Sequence, residues 1–475
     1  MKIIAKTFQG IEPVLAQEIR QLGADDVQVG NRMVSFSGDQ ALLYRANICL
    51  RTAVRVLKVL EEFRASDPDA VYEHVRQMPW EQLMDEHDTF LVDAVCFSEE
   101  FRHSKFVAYR TKDAIADRFR ALTGKRPDVS ISDPTLRIHV HISAHDVCIA
   151  LDASGDSLHK RGYRQQTVAA PINEVLAAAI VLLSGWKGDT DFVDPFCGSG
   201  TILIEAALIA RNINPGLFRK QFAFERWRDF DRDLFDQIYN DDSHERPFSH
   251  RIYGYDINRQ AVRIAQANVQ SAGVSDIVDV QQRDFHDFTW SADGDRPCLM
   301  ITNPPYGERI TTSDILGLYE TIGTKLKQQF VGNDAWVISC HEACFDRIGM
   351  RPSTKYALYN GALPCELRKY QVFAGRLSDR RSEGLDIKSS AERERNRTYK
   401  PHRHDDDRPF RPAGEGRSHS RDDEHYFLSR PDGQQFSRRN FKWGDRNASD
   451  RRGNDSDRPY IRSWTNPDDK RKRED

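Results

Sequence analysis

Between residues 171 and 376, short apolar runs alternate with longer stretches of helical periodicity. Neighbouring parallel strands need a crossover of a dozen or more residues, usually a helix, so this alternation predicts a parallel sheet with helices on both faces. The predicted fold class is α/β, with a Rossmann-like sheet. Strands are expected at residues 191–196, 252–256, 278–282, 298–302 and 335–339, followed by a closing hairpin at 355–360 and 367–373.

The first predicted strand leads into a glycine-containing turn at the start of a helix. The turn reads Asp194-Pro195-Phe196-Cys197-Gly198-Ser199-Gly200-Thr201. Its glycines let the backbone approach a ligand closely, and the helix N-terminus offers free N–H groups. Leu203 stands where a dinucleotide fingerprint needs a small residue, which disfavours NAD and FAD. The chain also lacks the phosphate-binding motif of ATPases.

Acidic residues stand at the ends of the next two predicted strands. A carboxylate at Asp256 is suited to bind both hydroxyls of a ribose, and Asp284 is suited to accept an adenine amine while the Phe285 backbone N–H reaches a ring nitrogen. The carboxyl ends of parallel strands form the edge at which open α/β sheets bind ligands. Each acidic residue alone is more often a helix cap or a turn residue. Together with the glycine turn, they predict a nucleoside site.

The fourth strand ends in Asn303-Pro304-Pro305-Tyr306. This pattern suits the methylation of an exocyclic base amine, whose lone pair is delocalised into the ring. The side-chain carbonyl of Asn303 and the backbone carbonyl of Pro304 would accept the two amine hydrogens, and Tyr306 would stack on the base. The two prolines restrict φ and hold these acceptors in place before the substrate arrives. The four residues do not distinguish adenine, cytosine and guanine, nor DNA and RNA.

Two smaller α+β blocks are predicted at residues 1–50 and 51–155, and a polar, basic linker at 156–170 joins them to the sheet domain at 171–376. Residues 377–475 lose the apolar pattern and contain 25 Lys and Arg against 21 Asp and Glu, which predicts a disordered tail of mixed charge. Aromatic residues between its arginines favour RNA contacts. A solvating tail without a specific partner is the alternative.

The cysteines are scattered without a Cys-x-x-Cys pair, which predicts a reducing, cytoplasmic location and no structural metal. Cys340 and Cys344 are expected on one helix as small apolar residues. No signal-peptide pattern opens the chain and no apolar run approaches 18 residues, so we expect no membrane association.

These motifs, taken in order, resemble the class I S-adenosylmethionine-dependent methyltransferases. The closest resemblance is to the THUMP-containing RNA guanine-N2 methyltransferases, in particular the 23S rRNA enzyme family. Residues 157–164 resemble the family's linker, and 359–365 its terminal hairpin. The resemblance covers residues 1–376 and implies a ferredoxin-like unit at 1–50 and a THUMP RNA-binding domain at 51–155.

The resemblance implies S-adenosylmethionine as cofactor and RNA as substrate. The methionine part of the cofactor would contact Asp194, Phe196, Cys197, Gly198, Ser199 and Gly200, and its nucleoside would contact Asp256, Asp284 and Phe285. The target base would be held by Asn303, Pro304, Pro305 and Tyr306, with no metal. Two basic clusters are candidate RNA contacts: Lys105 and Arg110 in the THUMP-like block, and Lys160, Arg161 and Arg164 in the linker.

The expected substrate is a guanine in 23S rRNA or a pre-50S particle, and the expected state is a monomer. A tRNA guanine-N2 enzyme of the same architecture, a DNA adenine-N6 enzyme and a non-catalytic ribosome-assembly factor are the alternatives. About 40 residues at 212–251 exceed a minimal methyltransferase domain. We predict a helical cap near the cofactor side, with a purely structural helical hairpin as the alternative.

Overall fold

In a computed structural model, the residues described are 1–168, 171–290, 297–305, 312–375 and 390–398. The first part of the chain, here called the N-terminal module, is an α+β unit of residues 1–155. Its strands are β1 (Lys2–Lys6), β2 (Asp25–Gly30), β3 (Met33–Ser37), β4 (Arg55–Arg64), β5 (Thr89–Phe97), β6 (Asp128–Val129), β7 (Leu136–Ser143) and β8 (Asp146–Asp152). Its helices are α1 (Glu12–Gln21), α2 (Gln40–Cys49), α3 (Pro68–Gln77) and α4 (Ser104–Thr123).

The eight strands of the N-terminal module form one sheet in the order β2-β3-β1-β4-β8-β7-β5-β6. Strand β4 lies near the middle and pairs with β1 on one side and with β8 on the other. The sheet therefore continues across the boundary predicted between residues 50 and 51. The two predicted blocks share a sheet and a hydrophobic core.

The second part of the chain is the predicted parallel-sheet domain. Its strands are β9 (Asp191–Asp194), β10 (Ile252–Asp256), β11 (Val278–Gln282), β12 (Cys298–Thr302), β13 (Asp334–Ser339), β14 (Thr354–Asn360) and β15 (Leu363–Gln371). Its helices are α5 (Glu174–Ser184), α6 (Thr201–Arg211), α7 (Arg232–Tyr239), α8 (Arg259–Ser271), α9 (Thr312–Gln329), α10 (Glu342–Arg347) and α11 (Ser390–Thr398).

The strand order in this domain is β11-β10-β9-β12-β13-β15-β14. Strands β9 to β13 are parallel, and β15 joins them antiparallel between β13 and β14. The predicted α/β fold class is confirmed. The order reverses beside β9, so the ends of β9, β10 and β12 meet at the place where ligands bind in such sheets.

The insertion at 212–251 does not form the predicted cap. Its Phe222, Phe224, Trp227 and Phe235 belong to the core of the N-terminal module, where the Phe224 ring stacks on Tyr44 with 4.5 Å between centroids. Only one α-helix, α7, lies in the insertion, so a helical hairpin is not observed either. The insertion lies within the sequence of the parallel-sheet domain, but its aromatic side chains pack into the core of the N-terminal module.

Two further differences from expectation lie near the end of the second sheet. Cys340 precedes helix α10 and forms a disulfide with Cys365, so it does not share a helix with Cys344. Helix α11 falls within the segment predicted to be a disordered tail. It contacts strand β14 through Glu392, which accepts a hydrogen bond of 3.1 Å from Thr354. The remaining positions of the predicted tail, apart from α11, lie outside the described residues.

Candidate active site

The predicted cofactor residues share one edge of the second sheet. Gly254 of β10 lies beside Asp194, the last residue of β9, and Val193 lies beside Met300 of β12. Because these strands are parallel, the residues that follow them emerge on the same side. Asp194, Asp256 and Asn303 are therefore brought together by the strand order, as the sequence predicts.

Asp194 is the most buried carboxyl group at this edge, with 1% of its surface exposed. Its Oδ1 accepts a hydrogen bond of 2.7 Å from the Thr302 hydroxyl and one of 3.1 Å from the Phe196 backbone N–H. Burial raises the pKa of Asp194 to about 7. Only neutral donors and the like-charged Asp256 contribute besides burial. A positive charge placed nearby would therefore stabilise the ionised form of this carboxyl group.

The glycine turn after Asp194 is tied to the next strand by two hydrogen bonds. The backbone N–H of Cys197 donates to the Tyr255 carbonyl at 2.9 Å, and that of Gly198 donates to Asp256 Oδ2 at 3.0 Å. Gly198 and Gly200 have φ of +55° and +81°, a region that favours glycine. A Cβ atom on Gly198 would find no atom nearer than 3.8 Å, from Val168. The turn therefore leaves room for a ligand against its backbone.

The close packing behind the turn depends on a third glycine. A Cβ atom on Gly254 would lie 2.2 Å from Leu203 Cδ1 and 3.3 Å from Cys197 Sγ. Strand β10 consequently approaches helix α6 only because residue 254 has no side chain. Leu203, whose size disfavours a dinucleotide fingerprint, fills this space.

Asp256 and Asp284 lie at the ends of neighbouring strands. Asp256 Oδ1 accepts a hydrogen bond of 2.8 Å from the Asn258 backbone N–H, and burial raises the pKa of Asp256. Asp284 follows β11 and accepts one of 2.8 Å from the His286 backbone N–H. Both carboxylates thus cap the following segment, and this leaves Oδ2 of Asp256 against the glycine turn.

Apolar side chains accompany the two carboxylates. The rings of Phe196 and Phe285 lie 4.7 Å apart, and Phe285 is buried. Ile257, directly after Asp256, is 63% exposed. Sequence reasoning did not identify Ile257, although its place after an acidic strand end was a usable signal. An aromatic ring of a nucleoside would cover such a side chain.

Asn303 carries a side-chain acceptor that no described residue uses. Its Oδ1 is buried and has no hydrogen-bond partner among the described residues. An unpaired buried carbonyl costs about 1–3 kcal/mol, so a donor from a ligand would be favourable at this atom. Pro304 is buried and Pro305 is exposed. Tyr306 lies outside the described residues, so its predicted stacking stays a prediction.

Two further polar residues support the site, and both were missed from the sequence. Thr302 is a polar residue at the end of an apolar strand and directly precedes Asn303. Its hydroxyl donates a hydrogen bond to the Asp194 carboxyl group. Asn268 of α8 is buried, donates to the Ser199 carbonyl at 3.0 Å and accepts from the Gln165 backbone N–H at 2.9 Å. It therefore connects the linker to the glycine turn. Nothing in the helix pattern around Asn268 indicated this contact.

The predicted linker contacts to RNA need correction. Arg161 is 2% exposed and donates to the carbonyls of Arg51 and Leu158 and to Glu205 at 3.3 Å. Arg164 donates to Thr201 and to the Ile172 carbonyl, each at 2.9 Å. The prediction that Arg161 binds RNA is wrong, because its side chain is buried and used inside the protein, whereas contact of the half-buried Arg164 with RNA stays a prediction. The basic residues that cluster in the linker sequence therefore do not all lie on the protein surface.

The other three candidates remain accessible to different degrees. Lys160 is exposed and forms an ion pair of 3.5 Å with Asp156, and Lys105 is exposed at the start of α4. Arg110 is less free, because its guanidinium bonds Asp69 at 2.6 Å and lies over the Tyr72 ring. Contact of these residues with RNA stays a prediction.

Comparisons with known proteins agree with this architecture. The family model of the RlmL ferredoxin-like domain matches residues 2–57, that of the THUMP domain residues 65–152, and that of the RMKL-like methyltransferase domain residues 161–369. A putative RNA methyltransferase of Synechocystis, slr0064, is 35% identical over 78% of this chain and 96% of its own length. The chain belongs to the THUMP-containing, RlmKL-like methyltransferase family.

Two other relatives of this methyltransferase are informative. The ribosomal RNA large subunit methyltransferase K/L of Syntrophotalea carbinolica is 39% identical over 78% of the chain and 54% of the relative. The chain thus spans about half the length of the K/L relatives that it matches. The crystal structure of SMU.472, a putative methyltransferase complexed with SAH, is 30% identical, with a TM-score of 0.71 over 79% of this chain and 99% of that one. Because SAH is the product of S-adenosylmethionine after methyl transfer, S-adenosylmethionine is confirmed as the cofactor.

The described parts of the chain contain neither a metal-binding cluster nor a membrane-spanning helix. No group of three or more His, Cys, Asp or Glu side chains there has a metal-binding arrangement. No helix in those parts combines the length and the apolar character needed to cross a bilayer.

Proposed function

We propose that this methyltransferase modifies the exocyclic N2 amine of a guanine in large-subunit (23S) ribosomal RNA. The observation that carries the proposal is the buried Oδ1 of Asn303 at the carboxyl edge of the sheet, to which no described residue donates a hydrogen bond. It supplies the acceptor that an exocyclic amine needs. The names of the K/L relatives support large-subunit rRNA as substrate. The choice of guanine rests on the family resemblance.

The residues at this edge divide between cofactor and base. S-adenosylmethionine, when bound, supplies a methyl group activated on a sulfonium. Asp256 and Asp284 are proposed to accept hydrogen bonds from its nucleoside, while the Gly198–Gly200 turn faces its amino-acid part. A carboxylate at Asp194 would favour the positive charge there, and the bonds from Thr302 and Phe196 keep this carboxyl group in place. Positioning of two reactants is the main contribution of such a site.

Asn303 is proposed to act on the other reactant. Its Oδ1 accepts an N–H of the target amine and draws the lone pair of the nitrogen out of the ring. Pro304 and Pro305 restrict the backbone, so the acceptor needs no reorganisation when the base enters. A paired guanine presents its amine to its partner, so the target base is expected to be unpaired or flipped. After transfer, the surplus proton passes from the nitrogen to water.

The test is Asn303→Ala, with Asn240→Ala at an exposed position of the insertion as matched control. Loss of a preorganised acceptor typically costs about 10²–10³ in rate. We expect that loss in methylation of protein-free 23S rRNA, with SAH affinity within twofold of wild type by calorimetry. The control is expected to retain both. Normal turnover of Asn303→Ala would show that Oδ1 does not bind the amine.

A second experiment identifies the substrate. Mass-spectrometric mapping of rRNA, tRNA and DNA from a deletion strain is expected to show one N2-methylguanosine missing from 23S rRNA. A missing modification in tRNA would transfer the proposal to tRNA, and a missing N6-methyladenine in DNA would contradict the RNA assignment. Unchanged nucleic acids, together with intact SAH binding, would favour an assembly role without catalysis.

A further inference from the structure

The helices α1 to α4 of the N-terminal module pack on only one face of its eight-stranded sheet. Ile138, Val140 and Ile142 of β7 point into the core with these helices, while His139 and His141 alternate with them. On the opposite face, a small apolar cluster of Ile4, Leu57 and Ala150 contains only strand residues. We call this the open face. No helix among the described residues contributes to that cluster.

Polar side chains cover the middle of the open face. Lys6 of β1 reaches across β4 and β8, and its Nζ lies 2.5 Å from Nε2 of His139 on β7. This contact is the one hydrogen bond that Lys6 makes with the described residues, although an ammonium group has three donors. Two donors therefore remain for a ligand.

Lys6 forms no ion pair with a carboxylate of the described residues, although the nearby Asp93 opposes the lowering of the Lys6 pKa by burial. Asp152 pairs with Arg55, and Asp93 lies 3.5 Å from Arg137. Arg55 is also directly opposite Lys6 in the β1–β4 register, which places two positive charges side by side. Burial first, and Arg55 second, lower the pKa of Lys6 to about 8. An anion at this point would relieve the repulsion and satisfy the free donors.

An aromatic surface continues from this cationic centre. Phe97 at the end of β5 is 67% exposed, and its ring lies 5.8 Å from that of His141. His141 follows His139 on the same face of β7, about 6.6 Å further along the strand. A cationic group beside exposed rings is the chemistry with which proteins bind single-stranded nucleic acid, through a phosphate and a stacked base.

We propose that the open face binds a single-stranded segment of the RNA substrate, with Lys6 and His139 contacting a phosphate and Phe97 and His141 stacking on a base. This inference rests on the proposed RNA substrate and adds a binding site distant in sequence from Asn303. It accounts for three features at once: the sheet face on which no described helix packs, the lysine donors that no described residue accepts and the exposed phenylalanine.

The experiment measures binding of a single-stranded 12-nucleotide RNA to the full chain by fluorescence anisotropy between 50 and 300 mM salt. Lys6→Met is expected to lower the slope of log affinity against log salt by about 0.7, the value for one phosphate contact on a single strand. Phe97→Ala is expected to weaken binding about 5- to 150-fold at unchanged slope, as for loss of one stacked base.

Lys2→Met is the matched control, because Lys2 lies on the same strand and face but pairs with Glu62 at 2.7 Å. It is expected to bind like wild type. Lys6→Arg is expected to restore the slope, which separates a phosphate contact from a folding defect. Wild-type slope and affinity in both Lys6→Met and Phe97→Ala would overturn the inference.

The outcomes separate this inference from the proposed function. If wild type methylates 23S rRNA while Lys6→Met and Phe97→Ala bind normally, the open face is not an RNA site and the proposed function stands. If the variants lose affinity as expected but no nucleic acid is methylated, the RNA site stands and the proposed reaction fails. Absence of any RNA binding by wild type would overturn both.

Discussion

Asp194→Asn tests whether a buried carboxyl group is retained for cofactor binding at the expense of stability. Burial raises the pKa of Asp194 to about 7 from its ordinary value of 3.8. The Asn side chain has the same shape, and its Oδ1 is able to accept the bonds from Thr302 and Phe196. The substitution therefore removes the charge while it keeps the local contacts.

The size of the effect follows from the pH dependence of unfolding. Below about pH 4, Asp194 is protonated in the folded and unfolded states and contributes nothing. Between about pH 4 and pH 7 the unfolded chain releases the proton while the folded protein retains it, so the free energy of unfolding falls as pH rises. Above pH 7 the full cost, about 4 kcal/mol for three pKa units, is present. Asp194→Asn is expected to recover up to that amount at pH 8 and about half or less at pH 5.

Urea unfolding at pH 5 and pH 8 measures this difference, with Asp284→Asn as a control for the same change in net charge. The m-value is expected to stay constant, so that the midpoint reports stability. SAH affinity of Asp194→Asn is expected to fall at least tenfold at pH 8. If Asp194→Asn is no more stable than wild type at pH 8, or if its gain does not depend on pH, the explanation through a buried carboxyl group is refuted.

Two further substitutions test the packing around the site. Gly254→Ala would place a Cβ atom 2.2 Å from Leu203 Cδ1, so we expect a loss of about 1–3 kcal/mol in unfolding free energy and weaker SAH binding, both partly restored by Leu203→Val. Phe224→Ala removes a buried ring of the insertion from the N-terminal module, and urea unfolding is expected to show a loss of about 3–5 kcal/mol. Unchanged stability in either variant would contradict the packing described.

The sequence predicted the second sheet well because β9, β10, β12 and β13 are short, mainly apolar runs that end at a polar residue. The bounds of β10, β11 and β12 agree with the predicted ones, and the predicted cofactor residues share one edge. The continuous sheet of the N-terminal module was not predictable in the same way. Pairing of β4 with both β1 and β8 depends on contacts between distant segments, and local periodicity does not specify them.

Charge clusters in the sequence were less informative than strand ends, and Arg161 shows why. Seen as a sequence, Lys160-Arg161 resembles a phosphate-binding pair. In the fold, Arg161 contacts Glu205 of α6 and the Arg51 carbonyl before β4, so its charge connects three segments. A buried guanidinium is tolerated only with such partners. The partners lie 44 and 110 positions away, beyond the range of any local pattern.

Arg161 and the polar residues of the candidate site are all buried, but they differ in whether the protein supplies partners for their polar atoms. Arg161 is buried with a carboxylate and two carbonyls as partners, which is a structural arrangement. Asp194 is buried with only neutral donors and the like-charged Asp256 near its carboxyl group, and no described residue donates to Oδ1 of Asn303. In the folded protein, burial of each of these groups costs free energy. Both groups lie at the carboxyl ends of neighbouring strands. Because a cationic ligand and an amine would relieve these two costs, the least satisfied polar groups at this edge are also the strongest candidates for cofactor and base binding.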